Sequence, residues 1–286
     1  MIKLQRYFIF ANPYKFETFN VAEQLLKQLT SLGAEVFLEP WLCSKLGLGK
    51  ALELDKLTSS FNAIISLGGD GTLLRSVQTA AKNNVPILGI NMGRLGFLME
   101  ASINQSSDIA NRLIKNDFQI EKRMLLNACV NKKQSYFVLN DIALMRGKNP
   151  SSIAVEAFAD GDKIFRVHGD GVLVSTPTGT TGYSISAGGP VIFPDLDCIA
   201  VVPICSHVLH HRPVVLPADR HITLSAEKAP LGRTYQVVID GQISLEFGDK
   251  TKILIEKANK DVSFIRFSSQ NFLKRLLEKQ AEWSRD

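Results

Sequence analysis

The sequence predicts an α/β N-terminal half followed by a β-rich C-terminal half. Apolar, β-branched runs alternate with helix-spaced leucines over the first hundred residues. After about residue 101 many short strand patterns with turns replace that rhythm. The last segment, 271–283, is helical again. With 286 residues, 45% hydrophobic and 21% charged, the chain has ample material for one large or two modest domains. The boundaries expected are 1–101, with 268–286 packing back on it, and 102–267.

Tyr7 to Ala11 reads as the first strand. Val21, Leu25, Leu26, Leu29 and Leu32 then recur at helical spacing until Gly33 stops them. Val36, Phe37 and Leu38 form the second strand, a Leu-rich segment follows, Ile64 and Ile65 belong to the third, and 85–90 is the fourth. Strands alternating with helices imply a parallel sheet covered on both faces, with ligands at the carboxyl ends of its strands. A helix-like segment around Ile109, Leu113 and Ile114 precedes the strand patterns at 124–130, 136–144, 153–159, 222–226, 237–239 and 253–255, for which packed antiparallel sheets are expected. In the final helix Phe272, Leu273, Leu276, Leu277 and Trp283 fall on one side, as a core-packing stripe would.

A net charge of +5 suits an anionic ligand, yet Lys and Arg are interspersed with Glu and Asp and form no long basic block. Nucleotides fit this pattern, and nucleic acid does not. The first residues lack the apolar core of a signal peptide, and no apolar run approaches the ~20 residues of a membrane span, so a cytoplasmic protein without membrane partners is expected. Cys43, Cys129, Cys198 and Cys205 contain no CxxC pair and read as reduced, buried thiols. Cys198, Cys205, His207, His210 and His211 lie close in sequence, but their spacing does not match the usual zinc patterns.

Two stretches carry the chemistry. Gly68-Gly69-Asp70-Gly71-Thr72 follows a buried-strand pattern and opens a helical one. Its glycines allow positive φ and close approach to a ligand, and the helix start offers amides to an anion. A carboxylate beside phosphate is repelled unless it binds metal or accepts a proton, so Asp70 reads as a catalytic carboxylate. The plainer reading is a tight turn in which Asp70 or Thr72 caps the helix. The second stretch, 170–190, surrounds Tyr183 with hydroxyls and glycines. Such groups suit ribose, phosphate and base edges, with the tyrosine ring as a flat apolar face.

Together these stretches resemble the NAD kinases (ATP-NAD kinase family). Asn91-Met92-Gly93-Arg94-Leu95-Gly96-Phe97-Leu98, Asn140-Asp141, Pro203-Ile204-Cys205-Ser206-His207 with Arg212-Pro213, and Asp240-Gly241-Gln242 resemble further segments of that family in the same order. The resemblance implies a Rossmann-like α/β domain carrying the GGDGT turn, and a β-sandwich-like domain that binds NAD. It also implies transfer of the γ-phosphoryl group of ATP to the 2′-hydroxyl of the adenosine ribose of NAD. A divalent cation, Mg²⁺ in the first instance, would assist, and the chain would form a homo-oligomer, either dimer or tetramer.

By that analogy Asp70 is the general base, Gly71 and Arg75 border the same site, and Asn140 and Asp141 hold ribose hydroxyls or the nicotinamide side. Asp170 would contact the nicotinamide portion. Thr181, Gly182, Tyr183, Ser184, Ile185 and Ser186 would line the adenosine and nicotinamide pockets, and Gln242 would close the site. Ser151 and His168 align with contact residues, His168 as a polar wall. Asp141 stands where Glu is frequent, Thr180 replaces Ser, and Gly182 replaces Ala; none of these removes a needed functional group. Lipid kinases of the diacylglycerol and sphingosine type share a similar turn, and a non-enzymatic NAD-binding regulator is the other alternative. Neither GxGxxG nor GxxxxGK[ST] occurs, which disfavours a conventional Rossmann dehydrogenase or P-loop ATPase.

Overall fold

The structure, a computed structural model, describes residues 4–93, 96–102, 106–227, 229, 234–268 and 272–283. The chain divides into two compact units, Met1–Lys122 with Val262–Asp286, and Arg123–Asp261.

The first unit is a parallel sheet with helices. Its strands are β1 (Arg6–Ala11), β2 (Glu35–Leu38), β3 (Lys50–Ala51), β4 (Ala63–Gly68), β5 (Ile87–Asn91) and β6 (Ala101–Ser102). All neighbouring pairs are parallel, in the order β6-β5-β4-β1-β2-β3. Helices α1 (Glu17–Ser31), α2 (Pro40–Leu46), α3 (Asp70–Leu74), α4 (Val77–Asn83) and α5 (Ser106–Lys115) fill the connections. Helix α1 buries Val21, Ala22, Leu25, Leu26 and Leu29 against Ile9, Leu38, Ile65 and Leu113. Each Val or Leu side chain among them contributes about 1.5–3 kcal/mol on burial. Leu32, expected on that stripe, lies beyond the helix end and is exposed, because Gly33 at φ 86° has already turned the chain.

The second unit is a β-sandwich. Strands β7 (Gln119–Val130) and β8 (Gln134–Val138) form a hairpin. Strands β9 (Asp141–Arg146), β10 (Ile153–Ala159), β11 (Asp162–Gly169) and β12 (Gly171–Ser175) come next. A short helix, α6 (Tyr183–Ser186), precedes β13 (Cys198–Ile204), β14 (Val214–Pro217), β15 (Ile222–Ala226), β16 (Tyr235–Ile239), β17 (Ile243–Phe247) and β18 (Thr251–Arg266). Antiparallel pairing gives one sheet in the order β14-β13-β12-β9-β16-β17, facing a second that contains β11-β10-β15-β18. Alternate residues of both, such as Ile142, Val172 and Val237 from the first and Val155, Leu224 and Ile253 from the second, form a shared core.

Several local expectations need correction. The strand pattern at 136–144 is two strands in two sheets, parted at Leu139 and Asn140. Most of the glycine- and hydroxyl-rich stretch 170–190 is ordered secondary structure, with β12 fully buried. The final helix α7 (Phe272–Trp283) leaves Leu273 and Leu277 exposed at 50% and 64%, so its apolar stripe is not a core stripe. Arg94 and Leu95 of the family-like loop, and Asn271 at the expected helix start, lie outside the described residues. The four thiols are free but not buried, and Cys205 is exposed. Among the described residues no helix is long and apolar enough to cross a membrane.

Candidate active site

Asp70 sits where β4 ends and α3 begins, as the first residue of that five-residue helix. The glycines before it do not adopt positive φ: Gly69 is extended at φ −128° and ψ −174°. Their value is space instead, since a Cβ at Gly68 would lie 2.3 Å from the Thr72 hydroxyl. The Asp70 carboxylate accepts hydrogen bonds from the Phe97 amide at 2.8 Å and the Leu98 amide at 3.1 Å. Gly96 is required for this approach, because a Cβ there would fall 2.0 Å from Oδ1. Burial raises the carboxyl's proton affinity, whereas the two amides and the nearby charges of Arg275 and Lys279 oppose that rise. The result is a desolvated carboxylate held in one orientation, as a proton acceptor requires.

In the sandwich unit the break between β8 and β9 is made by Asp240. Its carboxylate accepts three successive backbone amides, Leu139 at 3.0 Å, Asn140 at 2.7 Å and Asp141 at 3.1 Å. Asp240 itself stands at φ 50°, and its amide returns a bond to the Asp141 carbonyl at 2.8 Å. This clasp replaces the ladder pairing that a continuous strand would have had. Behind it, the Asn140 carbonyl accepts from the Thr176 amide at 2.9 Å and the Ser175 hydroxyl at 3.2 Å. The 3₁₀ turn Thr178–Thr181 packs there so closely that a Cβ on Gly179 would lie 2.0 Å from the same carbonyl oxygen.

Asn140, Asp141, Gly182, Tyr183 and Asp170 are thereby gathered within one unit. A Cβ on Gly182 would be 3.7 Å from Asn140 Nδ2 and 3.8 Å from Asp141 Oδ2. Tyr183 is 40% exposed. Its phenol is pushed up by burial and by the neighbouring Cys205, Asp170 and Asp141, against the opposing charge of Arg146. Arg146 Nε donates to Asp170 Oδ1 at 2.7 Å. Burial, and then the charge of Asp240, raise the Asp141 carboxyl from the usual 3.8 to about 7. Burial raises that of Asp240 to about 6 against its three amides. A buried acid pair of this kind shares its titration.

Residues 8–118 match the family profile described as the ATP-NAD kinase N-terminal domain, and residues 139–267 match the ATP-NAD kinase C-terminal domain. The chain belongs to the ATP-NAD kinase family. An NAD kinase of Geotalea daltonii is 32% identical over 96% of this chain and 97% of its own length. One from Gemmatimonas aurantiaca is 37% identical over 80% and 81% respectively. The crystal structure of an Archaeoglobus fulgidus NAD kinase in complex with ATP superimposes with a TM-score of 0.75 at 29% identity, covering 96% of this chain and 98% of that one. A yeast NADH kinase complexed with NADH shares the fold with a TM-score of 0.85 at 23% identity, over 96% and 86%. Membership makes the chain an ATP-NAD phosphotransferase, and neither a lipid kinase nor a non-enzymatic regulator draws support from these matches.

Other predicted site residues of this kinase stand differently. Arg75 Nη2 pairs with the buried Glu39 at 2.9 Å, and its guanidinium lies 5.8 Å from the centre of the Phe10 ring. Ser184 is fully buried with its hydroxyl turned toward Gly189, while Thr181 Oγ1 caps the Thr178 carbonyl at 3.3 Å. Ile185 is half-buried and Ser186 exposed, both on α6, and Gln242 is exposed on the β16–β17 turn. His168, exposed on β11, lines a cavity of about 460 Å³ with Ser152, Arg166 and Tyr235, and the Ser151 amide bonds Asn149 Oδ1 at 3.0 Å. Asp240, Gly96 and Arg146 are site-building residues to which the sequence reading gave no role. Asp240 and Gly96 carried a signal as members of family-like segments, and Arg146 carried none.

The Asp141 carboxyl carries a stability consequence. Its folded-state pKa lies above the unfolded value, so the native state holds the extra proton and loses stability as pH rises from about 4 through about 7. Asp141→Asn removes that dependence. Thermal unfolding without nucleotide should show the variant gaining on the parent between about pH 5 and pH 8; parallel curves would mean that Asp141 is ionised throughout.

Proposed function

We propose that this chain transfers the γ-phosphoryl group of ATP to the 2′-hydroxyl of the adenosine ribose of NAD, with Asp70 accepting the hydroxyl proton. The observation that carries the reading is the half-buried carboxylate of Asp70, fixed by two amides at the carboxyl end of a parallel strand. The new bond joins the ribose 2′-oxygen to the γ-phosphorus, the bond from that phosphorus to the β–γ bridging oxygen breaks, and ADP leaves. ATP enters as its complex with a divalent cation, Mg²⁺ in the first instance. Among the described residues no three His, Cys, Asp or Glu side chains converge as a cage for that cation. Its charge offsets that of the phosphates, and the protein's part is orientation and proton transfer.

Asn140 and Asp141 recognise a ribose diol, with acceptors held in tandem by the Asp240 clasp. Tyr183 supplies a stacking or packing face beside them, and Asp170, braced by Arg146, meets the nicotinamide portion. Gly71, Thr181, Gly182, Ile185, Ser186 and Gln242 complete the nucleotide contacts by backbone or rim positions. Arg75, Ser151, His168 and Ser184 join these nucleotide contacts, as the family resemblance implies. The setting is cytoplasmic and the assembly a homo-oligomer, which sedimentation of the purified chain would measure.

The decisive assay is purified protein with ATP, Mg²⁺ and NAD, the product read by an NADP-specific dehydrogenase. No NADP above background with ATP or polyphosphate as donor would sink the reading. Tyr183→Ala should raise the KM for NAD about tenfold and change kcat little, because a packing face is worth ~1–2 kcal/mol and no proton moves through it. Isothermal titration checks the same point. Unchanged NAD affinity would return Tyr183 to a purely structural role.

A further inference from the structure

The loop that holds Asp70 is itself held from behind. Phe97 and Leu98 give their amides to the carboxylate, while their carbonyls and that of Met99 are taken by two arginines. Arg275 Nη1 donates to the Phe97 carbonyl at 3.0 Å and the Met99 carbonyl at 2.8 Å. Arg266 Nη1 donates to the Leu98 carbonyl at 2.9 Å. The Phe97 ring also meets Phe272 of α7, with centroids 6.1 Å apart. Three consecutive carbonyls are thus anchored to the last strand and the last helix, and the Phe97 and Leu98 amides, in the same short stretch of backbone, are held by that anchor.

We propose that Arg275, on the C-terminal helix, is a positioning residue for phosphoryl transfer, acting through Phe97 and Met99 on the amides that orient Asp70. The proposal rests on the reading of Asp70 as proton acceptor. A guanidinium gripping two carbonyls sets their separation in a way that a lysine ammonium does not reproduce. Misplacing a reacting group by about 1 Å can cost ~10²-fold in rate. Arg275 also acts by charge: with Lys279 it favours the ionised carboxylate of Asp70. Arg266, Glu100 and Glu121 are the other charges that face it. Arg266 is the poorer target, since it is buried against Glu100 and bonded to Glu121, and its loss would take the cation away from both acids.

The test measures kcat and KM across pH, with thermal unfolding, for Arg275→Met and Arg275→Lys in the parent and in an Asp70→Asn background. Arg275→Met should lower kcat about 10- to 100-fold with the KM for NAD within about twofold of the parent. The acidic limb of kcat should move to higher pH, because the base must be ionised and has lost a neighbouring cation. Arg275→Lys should restore the position of that limb but only part of kcat. In the Asp70→Asn background the Met substitution should change the residual rate by less than about twofold, the two losses being non-additive. A folded Arg275→Met with normal kcat, an unmoved acidic limb, or an equal further loss in the Asp70→Asn background would each overturn the proposal. Should Arg275→Met fail to fold, Arg275→Lys decides by the same double-variant comparison. Near-normal turnover in Asp70→Asn alone would instead remove the reading of Asp70, and this proposal with it.

Discussion

Asp70→Asn is expected to leave the fold and NAD affinity in place and to lower kcat by ~10²-fold or more, the usual loss when a general base is removed. Asparagine is nearly isosteric, and its side-chain oxygen can still accept one of the two amides that Phe97 and Leu98 now donate. Its amide group cannot take a proton. The other change is a nitrogen facing a second backbone donor, which costs about 1–3 kcal/mol as an unsatisfied buried contact. Some loss of thermal stability should therefore accompany the kinetic loss without explaining it. Steady-state kinetics at saturating ATP and NAD, with titration of NAD binding to the variant, separate the two. Near-normal kcat would reassign Asp70 to holding the backbone at Phe97 and Leu98 and leave the proton acceptor elsewhere.

Gly179→Ala is expected to be among the most damaging single methyls at the described glycines of the sandwich unit. The added Cβ would stand 2.0 Å from the Asn140 carbonyl oxygen, 2.4 Å from its carbon and 2.6 Å from its Cα, and all three are backbone atoms. No side-chain rotation can relieve that overlap. The 3₁₀ turn is tied down by the Gly179 amide on Thr176 Oγ1 at 3.1 Å and by the Gly182 amide on the Gly179 carbonyl at 2.9 Å. Relief must then come from moving the Asn140–Asp141 turn, which Asp240 holds by three bonds. Overpacking of this kind costs about 1–3 kcal/mol or more, so Tm should fall by roughly 5–10 °C. Because the displaced turn carries the proposed ribose acceptors, the KM for NAD should rise at least about tenfold. Gly248→Ala is the control, since a Cβ there meets nothing within 4 Å. Equal Tm and KM for the two variants would mean that this close approach does not constrain the site.

Much of the site was readable because its determinants are local. Three glycines around a carboxylate directly after a buried strand place Asp70 at the end of β4 whatever the rest of the chain does. Likewise, the helix-spaced leucines of α1, the Gly33 stop and the apolar runs of β1, β4 and β5 follow from periodicity and chain stereochemistry alone. Ordered motifs carried the family resemblance for the same reason. Errors clustered where a short segment is settled by a distant partner. The pattern at 136–144 alternates like one strand, yet an acid one hundred residues later, with |i−j| = 100 to Asn140, takes its amides and divides it. The apolar face of α7 reads as core by spacing, but spacing does not say what covers it, and Leu273 and Leu277 remain exposed.

Sequence alone therefore determined the alternation of strands and helices in the first half, the β character of the second, the position of Asp70 and the family. Tertiary structure alone decided how the carboxylate is held. The partners of the Asp70 loop come from Arg266 and Arg275, the latter with |i−j| = 178 to Phe97, and Asp240 clasps Asn140 from the end of β16, adjacent in space but distant in sequence. Hydrogen bonds to backbone amides and carbonyls require no particular residue at the receiving end, so such contacts leave no pattern in the sequence of the segment they hold. The same is true of Gly96 and Gly179, where the absence of a side chain reads as a turn until the carboxylate or carbonyl that fills its place is known.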